Sequence, residues 1–388
     1  MKKLIGKLHL YLGLVSGILV FVISITGCIL AFEQEIKCIT QPYMFVEGPT
    51  NGKVLPPSVL AAIARKAVPG KQARGILYDT PDRNAKVGFY NLDPEYYYVA
   101  YINQYTGKVV KVWNEDGDFF HFILHGHYYL WLPEKIGQVV VASATLIFLT
   151  MMISGLVLWW PKNKSAAKQR FSIKWSAAWR RKNYDLHNVF GFYVMSIGII
   201  LAITGLIWGF QWFSQGLYTI TGGKGSDVYY NPPSDTTTLA GTDKTMQVVD
   251  KAWFTLQKEY PKYSSLNISL PTEKAESIYS YVNFREGTYY DVDYNYFDQY
   301  TGQKIKAEGP YSGKFKEANF AQTLRRMNYD IHTGAILGLP GKILMFFASL
   351  ICASLPVTGF LIWWGRRKKA PKKARTSLRT MKPDLVSR

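Results

Sequence analysis

The chain holds six histidines, His9, His121, His125, His127, His187 and His332. Imidazole is the side chain that changes charge near neutral pH and the commonest metal ligand in proteins. Four of the six recur at matching places in a chain that states its plan twice. Lys7-Leu8-His9 runs on to Gly13, and Asp185-Leu186-His187 runs on to Gly191. Each of these histidines is followed seventeen residues later by a Thr-Gly pair, Thr26-Gly27 and Thr204-Gly205, at a constant offset of 178. Farther along, His125 precedes Pro133 as His332 precedes Pro340, at an offset of 207 in both cases.

Two histidines brought to one level can ligate the iron of a porphyrin from opposite faces. A near-twofold axis along the membrane normal would set His9 opposite His187 at one level and His125 opposite His332 at another. Pairing across levels is excluded by length, because seventeen helical residues span about 25 Å. Gly13 and Gly191 lie at i+4 from a histidine, on the same helix face, where a flat macrocycle could pack against bare backbone. Close helix packing is the equal alternative for both glycines. Arg325 and Arg326, just ahead of His332, could pair with haem propionates or form a solvated interfacial pair. His121 and His127 have no repeated counterpart and are read as surface or supporting residues. His121 and His125, at i and i+4, could form a small metal site if that stretch is helical.

These residues need elements to position them. Four apolar runs, about 10–32, 137–160, 190–213 and 342–364, reach the roughly 20 residues that cross a bilayer. The segments 1–10, 161–186 and 365–388 hold 21 Lys/Arg against two acids, and the remainder is balanced, so they account for the whole net charge of +19. Cytoplasmic loops collect Lys and Arg, which predicts both termini inside. The basic balance therefore belongs to membrane topology and lipid contact, and a nucleic-acid partner is not needed to explain it. Three cysteines without a CxxC indicate neither a disulfide framework nor a thiol redox motif. Ile25-Thr26-Gly27-Cys28 resembles a lipoprotein signal end, but the Thr-Gly recurs at 204–205, and the first run is read as a retained helix.

The expected order is helix 1 (1–32), an outer α+β module (33–117), an interfacial segment (118–136), helix 2 (137–160) and a basic cytoplasmic loop (161–186). The plan then repeats as helix 3 (187–213), a second outer module (214–327), a second interfacial segment (328–341), helix 4 (342–364) and a basic tail (365–388). Within the first module the pattern predicts a helix over 58–68 and a hairpin of 96–102 with 109–113, turning on Gln104-Tyr105-Thr106-Gly107. Gln299-Tyr300-Thr301-Gly302 repeats that turn, and Trp363-Trp364 repeats Trp159-Trp160. Each half crosses twice and returns to its starting side, so the repeats are parallel.

The His-x3-Gly and Thr-Gly helices, the Asp-Leu-His and Tyr-Asp-Ile-His-Thr-Gly openings, the Gln-Tyr-Thr-Gly turns and the Trp-Trp ends together resemble the PepSY-associated transmembrane helix family. That family includes inner-membrane ferric-siderophore reductases. The resemblance implies a mainly α membrane protein with four spanning helices and two periplasmic PepSY-like modules. It also implies two b-type haems on His9, His187, His125 and His332, in a bacterial inner membrane with both termini cytoplasmic. The activity it implies is transmembrane electron transfer to a periplasmic acceptor such as a ferric siderophore, releasing iron(II). Thr221-Gly222-Gly223-Lys224-Gly225 lacks the spacing of a nucleotide-binding loop, so the electron donor is expected to be a cytoplasmic protein or a quinol. Two alternatives stand beside this reading. One is a non-enzymatic PepSY binding module anchored in the membrane, and the other is a component for haem or iron-chelate transport.

Overall fold

The structure is a computed structural model and describes residues 1–161, 163, 167, 170–237 and 244–367. Most of the expected basic tail, from Lys368 on, and residues 162, 164–166, 168 and 169 of the expected basic loop lie outside the described residues.

In chain order the helices are α1 (Lys2–Leu30), α2 (Glu33–Thr40), α3 (Pro57–Ala67), α4 (Phe119–Tyr129), α5 (Glu134–Trp159), α6 (Trp179–Gly209), α7 (Gln211–Ile220), α8 (Thr245–Glu259), α9 (Phe320–Thr333) and α10 (Leu339–Arg367). Four of them, α1, α5, α6 and α10, are long and apolar enough to cross a membrane, and the chain is a membrane protein. They pack in the cyclic order α1, α5, α6, α10 and back to α1. The contacts use small residues, as expected where lipid removes the hydrophobic drive between helices. A side chain on Gly17 would meet the Cβ of Pro356 at 3.4 Å, and one on Gly209 would meet the Cβ of Ala142 at 2.7 Å. Helix α6 begins eight residues before His187, so much of the expected loop to 186 is helical and that histidine lies two turns inside a helix.

Between the spans lie seven strands: β1 (Ala73–Tyr78), β2 (Ala85–Leu92), β3 (Glu95–Ile102), β4 (Val109–Asn114), β5 (Ser265–Ser269), β6 (Ile278–Asn283) and β7 (Val292–Phe297). They form one antiparallel sheet in the order β4-β3-β2-β1-β5-β6-β7. The first half of the chain supplies four strands and the second half three. The join is β1 against β5, with Ile76 opposite Ile268. The two segments expected as separate modules are therefore one body. Its core is shared as well. Phe89, Ile76 and Tyr78 pack with Trp253, Ile268 and Phe297, and α3 and α8 lie against each other.

The repeated turns explain the two hairpin ends. Asn103 and Asp298 each accept two successive backbone N–H groups with one side-chain oxygen, from Tyr105 and Thr106 and from Tyr300 and Thr301. Such Asx turns need a positive φ at their close, and Gly107 (φ 75) and Gly302 (φ 70) supply it. In the second half the returning strand is reduced to a single bridge, Phe297 to Lys304.

A cross-half contact caps α3. The Asp250 carboxylate on α8 accepts from the Ser58 amide at 2.8 Å and from its hydroxyl at 2.5 Å. An unpaired N–H at a helix start is expensive when buried. Asp250→Ala is expected to destabilise the sheet body by about 2 kcal/mol, the usual scale for hydrogen bonds to a charged group. Chemical denaturation followed by circular dichroism should show one cooperative sheet transition with a lowered midpoint. Two separate transitions would contradict the shared core.

Candidate functional site

Two short helices outside the spans carry histidines toward the bundle. Asp118 caps α4, accepting from the amides of Phe120 (2.9 Å) and His121 (3.1 Å), and pairs with Lys37 at 3.2 Å. Helix α4 stops at Leu130 and Trp131, both left-handed at φ 55 and 56. The Trp131 indole folds back, donates to the Phe122 carbonyl at 2.9 Å, and occupies the space where Gly126 lacks a side chain. Helix α9 opens on a capping box between Asn319 and Gln322 and ends on Gly334 at φ 81.

Four histidines share one pattern. Nδ1 of His9 lies 2.9 Å from Ser154 Oγ, and Nδ1 of His187 lies 2.9 Å from Thr358 Oγ1. Nδ1 of His127 lies 3.0 Å from Thr26 Oγ1, and Nδ1 of His332 lies 2.8 Å from Thr204 Oγ1. Each hydroxyl is followed in sequence by a glycine. A side chain on Gly155, Gly359, Gly27 or Gly205 would meet the Cε1 of the histidine beside it, at 3.5, 3.3, 3.3 and 3.7 Å. Every spanning helix thus presents one Ser/Thr-Gly pair to one imidazole. Ser154-Gly155 and Thr358-Gly359 escaped the sequence reading. Each stands five residues before the first Trp of a Trp-Trp pair, and that constant spacing was the available signal.

The bonds fix the tautomer. Each hydroxyl donates its single proton to a carbonyl of its own helix: Thr26 to Val22, Ser154 to Met151, Thr204 to Ile200 and Thr358 to Ser354. It can then only accept from Nδ1–H, which leaves a lone pair on Nε2. His127 has a second acceptor, the Ile23 carbonyl at 3.0 Å, which cannot donate at all. Burial pushes His127 down to about 4, opposed by that carbonyl, and pushes His332 down to about 3, so both rings are neutral.

The rings of His127 and His332 stand 6.2 Å apart, centre to centre, with their planes at 66°. They line a cavity of about 450 Å³ together with Gly27, Gly205, Trp208 and Tyr329. The Trp208 ring stands edge-on to His332 at 5.3 Å. His9 and His187 lie toward the opposite end of the bundle, near the N-terminal ends of α1 and α6.

Several expected residues stand elsewhere. His332 faces His127, and His125 lies outside that pairing. Two residues along a helix turn a side chain by about 200°, and the His125 ring lies beside Tyr129 instead, centres 5.1 Å apart and planes tilted at 60°. His121 stands edge-on to Tyr97 at 6.2 Å, and among the described residues no group of three His, Cys, Asp or Glu could hold a metal ion. Gly13 and Gly191 serve helix packing, since side chains there would meet Met151 Cε at 2.8 Å and Leu355 Cδ2 at 3.7 Å. Arg326 is buried and committed to the backbone carbonyls of Pro310, Val292 and Ser312. Arg325 pairs with Asp227 at 3.4 Å.

A family model described as the PepSY-associated TM region matches residues 7–366. No curated protein matches the chain.

The turn that aims His127 is sensitive to one atom. A Cβ on Gly126 would lie 2.2 Å from Trp131 Cζ2, inside a rigid ring. Gly126→Ala is expected to cost about 1–3 kcal/mol, the range for overpacking. Gly117→Ala, where nothing lies within 4 Å of the added carbon, should be close to neutral. Thermal unfolding of the two variants in detergent compares them directly.

Proposed function

The chain belongs to the PepSY-associated transmembrane family, and from that premise we propose a di-haem b-type protein that carries electrons across the bacterial inner membrane. His9 with His187 and His127 with His332 are the ligand pairs. The sheet body lies in the periplasm, both termini lie in the cytoplasm, and the chain is two parallel copies of one plan. The acceptor is a periplasmic ferric chelate, for which a siderophore complex is the leading candidate. The donor is a cytoplasmic protein or a membrane quinol.

The observation that carries this reading is the outer pair. Imidazoles ligating one metal from opposite sides hold each nitrogen about 2 Å from it, with each ring centre about 1 Å beyond, giving about 6 Å between centres. The rings of His127 and His332 stand at 6.2 Å, both neutral, with Nε2 unprotonated and a cavity beside them. When bound, an iron porphyrin supplies one-electron exchange between ferric and ferrous iron. The chain's own part is to hold the imidazoles. The hydroxyls of Thr26 and Thr204 set their tautomer, the bare faces of Gly27 and Gly205 admit them closely, and Trp208 closes one side against water.

The glycine run 221–225 supports an external electron donor. Thr221 ends α7, Gly222 and Gly225 take positive φ, and Gly223 lies against the Tyr218 ring. That run is a helix stop, and it presents no cradle of amides to a phosphate.

The test is the visible spectrum of the detergent-purified protein before and after dithionite, with haem quantified per chain. Close to two haems and sharp reduced α and β bands are expected. His9→Ala and His187→Ala should each remove one and the same haem, and His127→Ala and His332→Ala the other. His125→Ala should keep both. A colourless protein expressed with adequate haem supply would overturn the proposal and leave the sheet body as a membrane-anchored binding module.

A further inference from the structure

Two buried asparagines break the equivalence of the paired histidines. Asn183 stands four residues before His187 on α6, and Asn328 stands four residues before His332 on α9. Each is therefore on the same helix face as its histidine, one turn away. Asn183 Nδ2 donates to the Thr358 carbonyl at 3.0 Å, and Asn328 Nδ2 donates to the Thr204 carbonyl at 3.2 Å. Those are the two threonines whose hydroxyls accept from His187 and His332.

The two bonds form a clamp. One helix face grips a single residue of its neighbour at two points, through carbonyl and hydroxyl. A histidine held by Nδ1 alone can still swing as its helix slides. A second bond one turn away removes that slide. Residues four before the first-half histidines are Ile5 and Ile123, which have nothing to donate.

Both asparagines are almost fully buried, at 3% and 2% exposure, and in both Oδ1 has no partner. The amides cannot be turned round, because that would set oxygen against a carbonyl oxygen. An orphaned buried acceptor costs roughly 1–3 kcal/mol. The fold carries that burden at both sites, always beside the second-half histidine, and the donated bond is what it gains.

We propose that Asn183 and Asn328 are positioning residues that make the second-half histidine of each pair the fixed ligand, leaving His9 and His127 as the yielding ones. The proposal rests on the haem reading above for its ligand, while the clamp itself concerns only protein atoms. Both clamps engage α6, which gives a donor at its His187 end and an acceptor at its Thr204 end. That helix becomes the fixed spine of both sites.

The experiment uses the full chain in detergent, with Asn183→Leu, Asn328→Leu and the control Ile123→Leu. Haem loss to an excess of a haem-scavenging apoprotein is timed, and the two haems are told apart by midpoint potential and low-spin resonance spectrum. Asn328→Leu should speed loss from the outer site by about tenfold or more, the scale at which residues behind a ligand act, and shift that haem's potential alone. Asn183→Leu should do the same at the inner site only, and the control should change neither. If a Leu variant does not fold, the Ala variant is measured in its place. Falling thermal stability with unchanged loss rates and potentials, or both haems moving together, would overturn the clamp. If the wild-type chain holds no haem, the earlier reading fails, and ¹⁵N-histidine spectra then decide the clamp. His332 should pass from a single Nδ1-protonated state to a mixture in Asn328→Leu, and an unchanged tautomer would sink it.

Discussion

A hydrogen bond from an imidazole Nδ1 to a hydroxyl on the next helix governs the arrangement of this protein. The hydroxyl can accept only because its own proton is already given to a carbonyl one turn back, as Thr26 gives to Val22 and Thr358 to Ser354. That donation needs helical backbone at the same point. Helix, tautomer and ring position are thus one constraint. A carboxylate would hold the ring more strongly, but an ionised group at membrane depth is expensive. A neutral hydroxyl meets the same geometric need without that penalty. The following glycine completes the unit, since a side chain there would press on the ring the hydroxyl holds.

The sheet body depends on the same economy of edges. Each half supplies a short antiparallel set whose free edge would invite pairing with another chain. Setting β1 against β5 removes one edge from each and gives a shared core beneath α3 and α8. That body is then tied to the helices that carry His127 and His332. The Asp330 carboxylate on α9 takes the Tyr289 amide at 3.0 and 3.1 Å, and His121 on α4 stands edge-on to Tyr97 of β3 at 6.2 Å. The helices of His127 and His332 thus touch the sheet body as well as the bundle.

Much of this was legible from spacing. The offset of 178 located His9, His187, Thr26 and Thr204, because long helices keep register and tolerate no insertions between fixed contacts. The helix at 57–67 and the hairpin around Gly107 were readable from the Pro, Asx and Gly positions that enforce them. The structure sets His127 rather than His125 against His332, and the reason that spacing points to His125 is physical. Alignment on Leu132-Pro133 and Leu339-Pro340 selects His125, yet the turn after α9 is longer. It runs through Gly334, a short 3-10 turn at Ala335–Leu337 and Gly338, where the first half uses only the left-handed Leu130 and Trp131. Two extra residues in a loop shift the apparent match by two, and two residues on a helix reverse a side chain. The β1–β5 pairing was out of reach, because strands some 190 residues apart leave no local mark of each other.

The two histidine levels therefore differ in kind. His9 and His187 belong to spanning helices, and their positions follow from bundle packing alone. His127 and His332 belong to short helices that touch both bundle and sheet body, α4 through His121 against Tyr97 and α9 through Asp330 against the Tyr289 amide. Rings also connect them outward. From His332, contacts run to Trp208 at 5.3 Å, to Tyr329 at 6.2 Å and to Tyr289 at 4.8 Å, where the ring is half exposed. The residue at the same offset before Trp208 is Leu30, and from His127 the rings run instead to Tyr128 at 6.1 Å and on to Tyr129 at 5.9 Å. Within the bundle, by contrast, all four spanning helices set the same Ser/Thr-Gly unit against an imidazole.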